Sequence, residues 1–146
     1  MADTSLSRIE SKSDVQAYIQ NLNYALDHGA RINFQVEREV DRHKPSRFTN
    51  KFTMADLFPN ENPVDVLRRE IKTLTVGEYI KTVKDIRFPN RSEMREFGKV
   101  YNNTSEVYIK IRVELLSLYG GHTTFVMSFH YAQIAFDRTT FPYRDN

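Results

Sequence analysis

The stretch SEVYIKIRVEL, Ser105 to Leu115, decides how the rest of the chain is read. Val107, Ile109, Ile111, Val113 and Leu115 alternate with Tyr108, Lys110, Arg112 and Glu114. Successive side chains of a strand point to opposite faces, so this strict period of two predicts a strand with one buried and one open face. The apolar set is mostly β-branched, which suits a pleated surface. The polar set lines up an aromatic hydroxyl, two cations and a carboxylate. The wet side of any half-buried strand carries such a row. A surface that grips a phosphate backbone carries one too.

Working outward, Gly120-Gly121 reads as a hairpin turn. His122 to Tyr131 then reads as a partner strand, with Phe125, Met127 and Phe129 on one side and Thr124, Val126, Ser128 and His130 on the other. Upstream, Met94 to Tyr101 reads as a strand, with Gly98 a candidate bulge, and Asn102-Asn103 suits a tight turn. The tail from Ile134 to Arg144 keeps Ile134, Phe136, Phe141 and Tyr143. It is predicted to add an edge strand or to pack over one end.

The first half is mostly helical in pattern. Residues 1–10 are polar and predicted to be a flexible lead. A helix capped by Ser11 or Ser13 carries Val15, Tyr18, Ile19, Leu22 and Leu26 at helical spacing and stops at Gly29. Ile32, Phe34 and Val36 suggest a short strand. A charged loop follows, although EREVDRH also fits a continued helix. Thr49 to Phe58 allows one or two helical turns. Asn62-Pro63 opens a helix with Val64, Leu67, Ile71 and Leu74 as its stripe. Thr75 to Glu78 spells a capping box, which predicts a new short helix carrying Tyr79, Ile80 and Lys81. Helices followed by an antiparallel meander imply an α+β fold, with N-terminal helices on one face of the sheet, in a single domain over residues 1–146.

Composition narrows the chemistry. No apolar run is long enough for a membrane helix, and no secretory h-region is visible at the N-terminus. Cysteine is absent, which excludes disulfides, thiolate metal sites and a cysteine nucleophile, and fits a reducing, cytoplasmic setting. His28, His43, His122 and His130 lack metal-ligand spacing, and the carboxylates form no EF-hand loop, so neither metal nor cofactor is expected. There is no Gly-rich phosphate loop and no nucleophile elbow. The net charge is only +2, but two segments are locally basic. One holds Arg42, Lys44, Arg47 and Lys51. The other holds Lys81, Lys84, Arg87, Arg91, Arg95 and Lys99. Solvated loops and anion-binding surfaces both have this composition.

If the strand ending at Tyr131 pairs with the central one, His130 and Ser128 share a face with Tyr108, Lys110 and Arg112. Histidine moves protons near neutral pH. Lysine and arginine stabilise charge developing on a phosphate. Tyrosine stacks on a base or donates its hydroxyl. Metal-free RNA cleavage needs such a set: a base for the 2′-hydroxyl, an acid for the leaving oxygen, and cations for the transition state. A hydrogen-bonded strand histidine among ordinary wet-face cations fits the same residues.

Five motifs in order carry a resemblance: L-T-x-x-E-Y-x-K at Leu74 to Lys81, E-F-G-K at Glu96 to Lys99, E-V-Y-I-K-I at Glu106 to Ile111, V-M-S-F-H at Val126 to His130, and F-P-Y-R at Phe141 to Arg144. The chain from Ile71 to Arg144 resembles toxins of the MqsR-like type II toxin–antitoxin family, within the wider RelE-like ribonuclease fold. The resemblance implies a metal-independent endoribonuclease acting on mRNA. Lys81, Tyr108 and Lys110 match family positions, and His130 stands where relatives carry histidine or lysine. It implies catalytic roles for His130, Lys110, Tyr108 and Lys81. Arg112, Lys99, Arg95 and Lys84 would then bind RNA. The implied partner is a cognate antitoxin covering the basic face, with no membrane, no direct DNA contact, and room for a homo-oligomer. The alternatives are a catalytically inactive RNA- or protein-binding module of the same fold, or a structural subunit that oligomerises through the sheet edge or the tail.

Overall fold

Residues 105–117 form the longest strand of a six-stranded sheet in the computed structural model, which describes residues 5–34, 36, 46–117 and 121–144. In chain order the elements are β1 (Ser5–Arg8), α1 (Lys12–Asp27), β2 (Arg31–Phe34), α2 (Asn50–Leu57), α3 (Pro63–Ile71), β3 (Tyr79–Asp85), β4 (Met94–Tyr101), β5 (Ser105–Ser117) and β6 (Gly121–Tyr131). The sheet order is β1-β3-β4-β5-β6-β2. All neighbours are antiparallel except β2, which lies parallel to β6. The fold is therefore α+β, with a mostly antiparallel sheet rather than a pure meander.

The alternation read in the central strand is observed from Val107 to Ile111, and Val113 is half-buried against the same core. Val107, Ile109 and Ile111 are at most 1% exposed. They join Phe97, Val126 and Phe129 in one core with Val15, Ile19, Leu22 and Leu26 of α1, Met54 of α2, and Val66, Leu67 and Ile71 of α3. Ile109→Ala or Ile111→Ala is expected to cost about 2–5 kcal/mol of unfolding free energy, since each leaves a cavity in a filled core. A urea melt checks it, and a cost under about 1 kcal/mol would mean that these side chains are not core.

Local signals explain the helices. Ser11 caps α1 by accepting from the Asp14 N–H at 3.2 Å, and the chain leaves the helix through Gly29 at φ +85°, a conformation glycine adopts without a Cβ penalty. Arg68 of α3 donates to the carbonyls of Leu26 and Ala30, both at 2.9 Å, so one guanidinium satisfies a carbonyl of the last turn of α1 and one in the link to β2. Asn62 caps α3, but Val64 is exposed and Val66 takes its place in the core.

Four expectations give way. The polar lead is not all loose: Ser5–Arg8 pairs with β3 as an edge strand. The capping box forms, with the Thr75 N–H donating to Glu78 Oε1 at 2.9 Å, yet it holds only a single 3-10 turn, Val76–Glu78. The chain then becomes β3 instead of a helix, because the Tyr79 ring is fully buried against Phe97 and Tyr79 pairs with it across the ladder. The alternation of β6 breaks at Met127: the register shifts between Lys110 and Ile111, so Val126 and Phe129 both face the core. Gly98 lies in unbroken register with Tyr108 and is not a bulge. A Cβ there would sit 2.7–2.9 Å from ring atoms of Phe136 and Phe141, so glycine is needed for the tail to cross this end of the sheet. The tail is thus a strap and not a strand. Of the charged loop expected over 37–51, residues 37–45 lie outside the described residues, while Ser46–Phe48 forms a 3-10 turn and Asn50 and Lys51 open α2.

The parallel strand β2 pairs with β6 only up to Val126. Beyond that point α2 supplies the partners. Asn50 Nδ2 donates to the Met127 carbonyl at 3.1 Å, the Phe129 N–H donates to Asn50 Oδ1 at 2.9 Å, and the Tyr131 N–H donates to Thr53 Oγ1 at 2.9 Å. Buried backbone groups must find partners, and α2 meets that need at the edge β2 leaves open.

Candidate functional site

The face of the sheet turned away from the core is built in rows across the strands. One row is Gly98, Tyr108 and His130; the next is Lys81, Glu96, Lys110 and Ser128; the third is Ser7, Val83, Met94 and Arg112. The register of three adjacent strands therefore brings Lys81, Lys110 and Arg112 together from distant points in the chain. They line a concavity of about 470 Å³, with Met94, Met127 and Val83 as its apolar floor and the connection between β3 and β4 as one wall. Five cations line it, Lys81, Arg87, Arg91, Lys110 and Arg112, against the carboxylates of Asp85 and Glu96.

Glu96 is 6% exposed and stands between two lysines, with Lys110 Nζ at 4.0 Å. This buried carboxylate pairs with Lys110 and lies opposite Lys81 across the ladder. Lys81 makes no hydrogen bond or ion pair among the described residues. Arg112 donates to Glu114, whose carboxylate also accepts from the Ser92 N–H at 2.9 Å and hydroxyl at 3.0 Å. Burial pushes the Glu114 carboxyl up, but the Ser92 and Arg112 bonds outweigh it and leave it below its ordinary value. Arg87 chelates Asp85 and holds that carboxyl down at about 2.

His130 lies beside Tyr108, ring centroids 5.4 Å apart. It is not on open surface as expected: it is 9% exposed, and its Nδ1 sits 2.9 Å from the Tyr131 carbonyl. An N–H must donate in that contact, so the proton is assigned to Nδ1. The tail leaves β6 past Glu106, whose carboxylate accepts from the Phe136 N–H at 3.2 Å, and lays Phe136 and Phe141 on Gly98, in the same row as His130.

Three cations expected at this face lie elsewhere. Arg95 and Lys99 share their parity with Phe97, which is core, so both point to the opposite side. Arg95 chelates the buried Glu10 at 2.9 and 3.1 Å, and Lys99 pairs with Glu78 at 3.0 Å. Lys84 braces the connection after β3 by donating to the carbonyls of Pro89, at 3.0 Å, and Arg91. The core parity of Phe97 was the signal that could have separated these residues from Lys81. Phe88 was not singled out in the sequence, and Arg91 was read only as part of a basic segment, because loop placement decides their role.

The fold and face define a small α+β protein with a cationic concavity on an antiparallel sheet. No protein-family model, curated protein or solved structure matches the chain. Among the described residues no helix is long and apolar enough to cross a membrane, and no group of three or more His, Asp or Glu could hold a metal ion.

Proposed function

We propose that this chain is a toxin-type, metal-independent endoribonuclease with the RelE-like fold its motifs resemble, acting on mRNA in the cytoplasm and countered by an antitoxin that covers the basic face. The observation that carries this reading is the convergence of Lys81, Lys110 and Arg112 on one concavity, with Lys81 and Lys110 one row from Tyr108 and His130 and Arg112 two rows away. In such a reaction the 2′-oxygen attacks the adjacent phosphorus and loses its proton to a base. The 5′-oxygen of the next nucleotide leaves and takes a proton. Lys81, Lys110 and Arg112 stabilise the charge that builds on the non-bridging oxygens. Proton transfer falls to His130, and Tyr108 orients the strand.

The burial of His130 favours a second reading, a module that binds RNA without cutting it. One assay separates the two: a defined single-stranded RNA incubated with the protein in EDTA. Cleavage supports the enzyme, and binding without cleavage supports the module. In either case affinity is expected to fall steeply as salt rises, because bound phosphates release counterions. Lys81→Ala and Lys110→Ala are each expected to flatten the log–log salt slope by about 0.7. Binding that ignores salt, or no binding, removes both readings.

A further inference from the structure

The wall between β3 and β4 carries an arrangement the phosphate contacts do not use. Phe88 is 40% exposed at the rim of the concavity. The Arg91 guanidinium lies over its ring, 4.0 Å from the centroid, and Arg87 sits at 5.4 Å. The two arginines are not equivalent. Arg87 is bound by Asp85 through two bonds at 3.0 and 2.8 Å. The Arg91 side chain makes no hydrogen bond or ion pair among the described residues, and its position comes from the ring beneath it and from the backbone. The turn that folds it back is closed by the Arg91 N–H donating to the Phe88 carbonyl at 3.0 Å. Lys84 pins the same turn through the Pro89 and Arg91 carbonyls. An exposed arginine normally samples many rotamers, whereas this one already rests over a ring before any ligand arrives.

We infer that the Phe88–Arg91 pair is a stacking shelf for one unpaired nucleobase, so that the concavity takes single-stranded RNA in preference to duplex. The inference rests on the nucleic-acid reading above and gives it a substrate class. The Phe88 ring backs the Arg91 guanidinium from one side. A splayed-out base stacks on a guanidinium plane or an aromatic face. The phosphates flanking such a base meet Lys81 and Arg112, which line the same concavity. Bases inside a duplex are already stacked on both faces and cannot use the shelf.

The test uses the full chain, fluorescence-labelled oligoribonucleotides carrying one 2-aminopurine, and an abasic strand of the same length and charge. Arg91→Lys keeps the charge and removes the plane. It is expected to leave the abasic strand's affinity unchanged and to weaken the base-bearing strand about 5- to 100-fold, the range of one base stack. Phe88→Ala removes the backing and is expected to weaken the base-bearing strand in the same range. Both residues are exposed, so a thermal melt should match the wild type. In the wild-type protein 2-aminopurine emission should quench on binding, and a duplex of the same sequence should bind more weakly. If both variants keep the wild-type ratio of base-bearing to abasic affinity, the shelf is overturned while the nucleic-acid reading stands. If the wild-type protein binds neither strand, that reading fails and the shelf with it.

Discussion

Replacing Arg95 with alanine is expected to lower the unfolding free energy by about 3 kcal/mol at neutral pH, because it leaves the buried Glu10 carboxylate with only the half-exposed Arg8, 3.6 Å away, as a cation. The Glu10 side chain is 7% exposed and that of Arg95 18%. Arg95 grips both Glu10 oxygens, Thr82 Oγ1 donates to the same carboxylate, and Tyr79 Oη shares a hydrogen bond with Thr82 Oγ1 at 2.7 Å. The Arg95 guanidinium also lies 4.4 Å from the centroid of the Tyr18 ring. The cluster joins the first strand, α1, β3 and β4, and the Tyr143 hydroxyl adds the tail by donating to the Glu10 carbonyl. Burial pushes the Glu10 carboxyl up, but the Arg95 and Thr82 bonds outweigh it and hold it below its ordinary value of 4.5. A depressed carboxyl contributes stability that is complete above the unfolded value and is lost as pH falls through the folded one. The gap between Arg95→Ala and wild type should therefore be widest near neutral pH and close below about pH 4.5. The double variant Glu10→Gln, Arg95→Met should recover part of the loss, since no buried charge then lacks a partner. Chemical melts at several pH values check all three statements. A pH-independent gap would show that Arg95 acts through packing alone.

What could be read from the sequence follows from where the determining interactions lie. The alternation in SEVYIKIRVEL is local, and it fixed both the strand and its two faces. Ser11, Asn62 and Gly29 act within a few residues of themselves, and the ends of α1 and α3 follow from them. The first strand is only SLSR, too short for a period, and its existence depends on a distant partner, with Ser5 opposite Asp85 and Arg8 opposite Thr82. The Thr75 box illustrates a local signal that is obeyed and then overruled: the cap forms, but burying the Tyr79 ring is worth more than another helical turn. The Met127 shift belongs to the same class, because it appears only once Lys110 and Ile111 are paired.

The candidate site divides in the same way. Tyr108, Lys110 and Arg112 were legible as one face because they alternate along a single strand. Lys81 joins them only through the register of β3 on β4. The basic segment from Lys81 to Lys99 looked like one patch, since charge counting ignores which face a residue takes. Strand parity splits it: Lys81 goes to the concavity, while Arg95 and Lys99 go to the core side, where Glu10 and Glu78 neutralise them. A residue's chemistry was readable; its face depended on neighbours the linear pattern does not name.

His130 carries the prediction with the largest expected effect on activity. A positioned acid or base contributes about 10²–10⁴-fold in rate, so His130→Ala should reduce RNA cleavage per folded molecule by that factor. In the proposed function binding rests on Lys81, Lys110 and Arg112, so it should change little. The geometry specifies the route. The proton on Nδ1 is held by the Tyr131 carbonyl at 2.9 Å, so exchange with the substrate would run through Nε2. His130 shares its row with Gly98, where Phe136 and Phe141 lie. Substrate access therefore depends on the tail, and RNA binding should bring the 133–140 segment more rapidly into hydrogen exchange. A histidine that serves only the fold gives another pair of results. Removing a buried, hydrogen-bonded ring would cost about 1–3 kcal/mol of stability and leave cleavage per folded molecule unchanged. His130→Lys is the discriminating control: it keeps a proton-bearing cation at the position but cannot make the same Nδ1 contact. Retained cleavage in His130→Lys with loss in His130→Ala would assign the position to charge and proton transfer. Full cleavage in both would take His130 out of the reaction and leave the lysines and arginine as a binding surface.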